Sequence, residues 1–175
     1  MIGGNLSNLY FQTLYLSKEK SNCPLIADSL KIEKKIEKYD LVISQRYGKR
    51  ILINSYGEKD SNDNFLEIVD YDPIKKILLA MGSKEPRIET PLHWLIHHAR
   101  DEVNAIVQIN DIDLANKIKK IPKTQNDYTD GNLDHIKDVM KNLRKSKKVI
   151  LKNHGLIFVG NSIKEVEELL FEELK

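Results

Sequence analysis

The stretch Val149-Ile-Leu-Lys-Asn-His-Gly-Leu-Ile-Phe-Val-Gly160 sets two apolar runs around a short polar connection. Runs rich in β-branched and aromatic side chains read as strands, and Lys152-Asn-His-Gly155 between them reads as a tight strand-to-strand turn. Such a turn, flanked by buried strands, can project the imidazole of His154 into a cleft; a purely structural histidine is the alternative. Immediately downstream, Ser162-Ile-Lys-Glu165 has the spacing of a capping box, and Val166, Leu169 and Leu170 give the buried stripe of a final helix.

The same alternation continues upstream. A helix is expected over 132–145, with Leu133, Ile136, Val139, Met140 and Leu143 as its core stripe. The lysines and arginine at its end complement the negative end of the helix dipole. Residues 104–109 form an apolar run of strand length, and 113–120 a brief helix ended by Pro122. Thr90 is a suitable N-cap and Pro91 fits the first helical position, with Leu92, Leu95, Ile96 and Ala99 on one face. Before that helix come two strand pairs. Residues 41–44 and 50–54 flank the turn at Tyr47-Gly48, and 65–70 and 77–80 flank Tyr71-Asp72-Pro73. The polar segment 58–64 should lie on the surface, residues 9–16 read as a strand, and 28–38 as a weakly amphipathic helix. Strands and helices interleave without a repeat. The expectation is one α/β domain spanning residues 1–175, a sheet covered by helices on both faces.

Composition limits the functional classes. Lys and Arg number 28 against 26 Asp and Glu, a formal charge of +2 in 175 residues, which offers no electrostatic reason for a nucleic-acid partner. Cys23 is the only cysteine, so an internal disulfide and any multi-cysteine metal site are excluded, and a reducing compartment suits the chain. No apolar run reaches the roughly 20 residues needed to span a bilayer, and the chain is expected to be cytoplasmic with no membrane partner.

Polar groups inside core-like surroundings fall in 82–110 and 149–160. Glu89 stands at a helix start, where it is either a dipole-stabilised capping anion or a general base. His93 and His97 share a helical face at a spacing able to hold a metal, but Trp94 occupies the position where a metalloprotease helix needs glutamate. Packing or surface histidines are the plainer reading of His97 and His98.

Three blocks carry a resemblance: Gly82-Ser-Lys-Glu-Pro-Arg-Ile-Glu-Thr-Pro-Leu-His93, Val103-Asn-Ala-Ile-Val-Gln-Ile-Asn110 and the stretch 149–160. In order and spacing they resemble the class II aldolase and adducin family over about residues 50–172. The resemblance implies a three-layer α/β/α domain with a mixed, largely antiparallel sheet, a homotetramer, and a divalent metal, usually zinc, acting on a sugar phosphate. It places Glu89 on the acid/base carboxylate, and Tyr128 near a tyrosine that donates a proton in a neighbouring subunit. It puts His154 on one of three metal-binding histidines. The other two fall on Gln108 and Asn110.

An amide oxygen is a weak, hard donor, ill matched to zinc. A tight zinc site is therefore not expected. Glu89 could add a carboxylate oxygen, making an oxygen-rich site better suited to weakly bound magnesium or manganese. The resemblance also supplies residues for a phosphorylated or carboxylated ligand. Gly3-Gly-Asn-Leu-Ser7 resembles a first phosphate turn, giving Gly4, Asn5 and Ser7, and Asn54-Ser-Tyr-Gly57 a second, giving Ser55 and Gly57. A rival register puts the first turn at 43–46 behind a leading helix at 28–39. Arg87 stands where the family has serine and could grip an anion by its planar fork, and His93 lies one turn beyond Glu89. Three functions follow as expectations: a ligand-binding protein with a degenerate zinc site, an active metal-dependent aldolase, epimerase or dehydratase, or a non-catalytic adducin-like assembly domain.

Overall fold

The computed structural model describes residues 9–57 and 61–175. Gly4, Asn5 and Ser7, and the acidic residues Glu58 and Asp60 of the polar loop, lie outside the described residues. Eight strands form one sheet: β1 (Gln12–Ser17), β2 (Leu41–Tyr47), β3 (Arg50–Asn54), β4 (Phe65–Asp72), β5 (Ile77–Met81), β6 (Ala105–Ile109), β7 (Lys148–Leu151) and β8 (Gly155–Gly160). The helices are α1 (Ile26–Lys35), α2 (Thr90–Ala99), α3 (Ile112–Lys117), α4 (Leu133–Leu143) and α5 (Ile163–Glu173). Strand order is β1-β5-β4-β3-β2-β6-β8-β7, and among these strands of the described residues only the β1·β5 pairing is parallel. The expected mixed, largely antiparallel sheet is what the chain builds.

Strand alternation sends side chains to opposite faces, and this sorts the core into two layers. Ile43, Val107 and Ile109 pack with Ile32 of α1, Ala115 of α3 and Val166 and Leu170 of α5. On the other face Ile106, Val149 and Ile157 pack with Leu92 and Ile96 of α2 and Ile136, Val139 and Leu143 of α4. Ser44 and Gln108, each one residue out of phase with the first set, therefore face α2 from adjacent strands, where Ser44 pairs with Ile106 and Val42 with Gln108.

Local signals act as their chemistry predicts. Ser162 accepts from Glu165 N, and Asn132 and Asp111 likewise cap α4 and α3. Gly48 turns the β2–β3 hairpin at a φ of 61°. β1, α1 and α3 are shifted or shortened against the expected 9–16, 28–38 and 113–120, and the start of α2 differs in its cap. α2 already includes Thr90; Glu89 is its cap residue without a side-chain cap bond, and Thr90 Oγ1 is buried without a partner. Glu89 cannot turn back to cap the helix because its carboxylate is engaged by Arg87 and Asn110.

Candidate functional site

The polar centre lies where the end of β6 meets the start of α2. Pro86-Arg-Ile-Glu89 leads into the helix and delivers Arg87 and Glu89 together, both side chains almost wholly buried. Arg87 Nε donates to Glu89 Oε1 at 3.2 Å and its terminal nitrogen to Glu89 Oε2 at 3.2 Å. The same terminal nitrogen reaches both oxygens of Asp40, at 3.0 and 2.9 Å, and the guanidinium lies 4.4 Å from the Tyr56 ring centroid. Two carboxylates thus share one planar cation, an arrangement suited to guanidinium and not to ammonium.

Asn110 closes the other side. Its Nδ2 donates to Glu89 Oε2 at 2.7 Å and to Asp40 Oδ2 at 3.0 Å, while its Oδ1 accepts from Gln108 Nε2 at 3.0 Å. Gln108 Oε1 meets His93 Nε2 at 2.9 Å, His93 Nδ1 meets Ser44 Oγ at 2.7 Å, and Ser44 Oγ meets His97 Nε2 at 2.9 Å. The line ends where His97 Nδ1 donates to the carbonyl of Val103 at 3.0 Å. Because that carbonyl can only accept, His97 carries its proton on Nδ1, and its Nε2 accepts a hydrogen bond from the Ser44 hydroxyl. Burial pushes both histidines down, His93 to about 4 and His97 to about 3. Both belong to the core, and the metal-binding spacing of His93 and His97 is used instead to hold one serine.

Tyr128 and His154 meet each other beside this centre, with ring centroids 5.1 Å apart and edge to face. His154 Nε2 lies 3.9 Å from Asp130 Oδ2. The Tyr128 hydroxyl, Asp130 Oδ1 and His154 Nε2 are all buried without a hydrogen-bond partner. Burial, reinforced by the charge of Glu89, raises Asp130 to about 7. Burial and then Asp130 hold the Tyr128 phenol well above its ordinary range. Burial lowers His154, against the opposing pull of Glu89 and Asp40. The turn bearing His154 abuts β6 so closely that a Cβ on Gly155 would stand 3.1 Å from Asn110 Cα.

Of the expected ligand-contacting residues, Ser55, Gly57 and Arg87 line one cavity of about 220 Å³ together with Asp40, Asn54 and Tyr56. The Ser55 hydroxyl is bonded to the carbonyl of Glu85. His93 is not among them, being fully buried behind Gln108. A helix, α1, precedes β2, as the rival register requires, and Ser44 within that register is committed to the two histidines. Sequence reasoning missed Asp40 and Asp130 as members of the site, and met Ser44 only within the rival phosphate turn at 43–46.

The donor set does not fit a zinc ion. An amide oxygen is a poor donor to zinc, and here each of the two, like both oxygens of Glu89, already accepts a hydrogen bond, which leaves His154 Nε2, buried without a partner, as the one well-matched zinc donor of the set. A divalent ion placed on Glu89 would also lie beside the Arg87 cation, a repulsion on the order of several kcal/mol at an effective dielectric near 20. Among the described residues no group of three or more His, Cys, Asp or Glu side chains is placed to hold a metal.

No family model and no curated protein matches the chain. Solved structures do match in shape. An L-fuculose 1-phosphate aldolase superposes with a TM-score of 0.67 at 16% identity, over 88% of this chain and 85% of that one. An aldolase II superfamily protein from Pseudomonas syringae gives 0.61 at 20% identity, over 85% and 69%. The N-terminal class II aldolase domain of a Thermoplasma acidophilum protein gives 0.59 at 14% identity, over 87% and 90%. The chain has the class II aldolase fold. No helix among the described residues is long and apolar enough to cross a membrane.

Proposed function

We propose that this protein uses the class II aldolase fold to bind a small phosphorylated or carboxylated molecule without zinc-dependent aldol chemistry. The carrying observation is that Gln108 and Asn110, which the sequence resemblance assigns to the metal-binding histidine pair, spend their amide groups on His93, Glu89, Asp40 and each other. The ligand's anionic end is assigned to the cavity shared by Ser55, Gly57 and Arg87. There Asp40, about half exposed, already rests on Arg87 as an incoming carboxylate or phosphate would, and can give way to it. The test is thermal melting with phosphate, citrate and a panel of sugar phosphates. A saturable rise that Arg87→Ala removes supports the proposal, since a ligand of the native state alone must raise apparent stability. No rise with any of them counts against it.

The activity named for the L-fuculose 1-phosphate aldolase neighbour favours a second reading. It is an active sugar-phosphate aldolase, epimerase or dehydratase with Glu89 as acid/base, Tyr128 as proton donor and a weakly held magnesium, manganese or zinc ion. Hydrogen exchange into dihydroxyacetone phosphate, stimulated by a divalent ion and lost in Glu89→Gln, would establish it. Assembly into a homo-oligomer, a tetramer by resemblance, belongs to either reading and to the adducin-like one. Leu14 and Leu16 stand exposed on the edge strand β1, and gel filtration measures the outcome.

A further inference from the structure

We propose that the Arg87 guanidinium has taken over the electrostatic place of the divalent ion, so that the site is a latent metal site closed by an internal cation. This rests on the reading above that the wild-type chain holds no tight zinc. A carboxylate as buried as Glu89 requires a nearby positive charge to remain ionised in the fold. In a metal-dependent site that charge is the ion. Here it is supplied two residues upstream by Arg87, which bonds both Glu89 oxygens and both Asp40 oxygens and is itself only 5% exposed.

The oxygens that Arg87 holds are a hard donor set. Glu89 and Asp40 face the same guanidinium, and Asn110 Nδ2 donates to both of them. Remove the guanidinium and two carboxylates, still bonded by Asn110 Nδ2, are left facing a space without a cation. Such a set suits manganese or magnesium more than zinc. The arginine then balances the charge of Glu89 from within the chain.

The full chain carrying Arg87→Met, which keeps length without charge, tests this with Mn2+ as the probe. Melting temperature is followed with 1 mM MnCl2 against EDTA, and affinity by the Mn2+ electron paramagnetic resonance signal. Arg87→Met is expected to be less stable in EDTA, to recover on adding Mn2+, and to bind Mn2+ at least tenfold more tightly than wild type. Arg87→Lys retains the charge but not the fork, and is expected to be less stable than wild type yet, like wild type, to bind Mn2+ no more tightly. The double variant Arg87→Met/Glu89→Gln removes both charges and is expected to fold and ignore Mn2+. If Arg87→Met is unmoved by Mn2+, whether it folds or is recovered only as aggregate in both buffers, the proposal is overturned. Equal Mn2+ binding by Arg87→Lys and Arg87→Met overturns it as well. Stoichiometric zinc in the wild-type chain would instead sink the reading on which it rests.

Discussion

Acidification should destabilise the fold by an amount that one aspartate conceals. His93 and His97 are held at about 4 and about 3 in the folded chain, against 6.5 when exposed, because burial opposes the imidazolium. As pH falls below 6.5 the unfolded chain takes up protons that the native chain refuses, so stability is lost across the window from 6.5 down to about 3. Between pH 7 and 5 the two histidines together withdraw about 4 kcal/mol. Asp130 works in the other direction. Its carboxyl is raised from 3.8 to about 7, so its contribution is complete below 3.8 and is lost as pH rises through about 7. Over the same interval from pH 7 to 5 it returns about 2 kcal/mol. From these three groups wild type should lose about 2 kcal/mol and Asp130→Asn, which no longer titrates, about 4 kcal/mol, and the lowered His154 adds to the loss in the same direction. Urea denaturation of both proteins at the two pH values measures the difference. Equal losses, or a wild type that is more stable at pH 5, would refute the assignment of two buried neutral histidines opposed by a protonated aspartate.

Other substitutions address the frame around the site. Ser44→Ala leaves His93 Nδ1 and His97 Nε2 without their shared partner and should cost about 2–3 kcal/mol in urea denaturation; a neutral result would mean that the serine bridges nothing. Arg46 donates to the carbonyls of His97, Arg100 and Val103 and to Asn104 Oδ1, closing the C-terminal end of α2. Its replacement by alanine should cost about 3 kcal/mol by the same assay. Gly155→Ala would place a Cβ 1.9 Å from the carbonyl oxygen of Ile109 and should abolish soluble expression or force β6 and β8 apart, read by a collapsed melting temperature. A folded Gly155→Ala protein of wild-type stability would show that the close approach of these strands is not required.

The framework was legible because it is written in short-range signals. The polar connection at 152–155 and the hairpin at Tyr47-Gly48 each needed only a few neighbouring residues and formed, and Ser162 caps α5 as expected, although Glu165 accepts from Asn161 N instead of closing the box on Ser162 N. The site was legible only in part. The amides at 108 and 110 can be read from sequence as poor zinc donors, but that their hydrogen bonds are already taken cannot. Arg87 and Asp40 stand 47 residues apart and Ser44 and His93 49, so no local pattern announces either pair. His93 shows the same limit. Its position one turn past Glu89 suggested a ligand contact, whereas strand alternation on β2 and β6 puts Ser44 and Gln108 against it and seals it in the core. Likewise Asp130 gains its raised pKa from burial and from Glu89, a residue 41 positions away by number (130 − 89).

Metal content of the purified full-length chain is the deciding quantity. After expression with added zinc and dialysis against buffer without chelator, elemental analysis should find far less than one equivalent of zinc per chain. One equivalent that survives dialysis and disappears in His154→Ala would contradict the claim that the amides and Arg87 have closed this site to the ion.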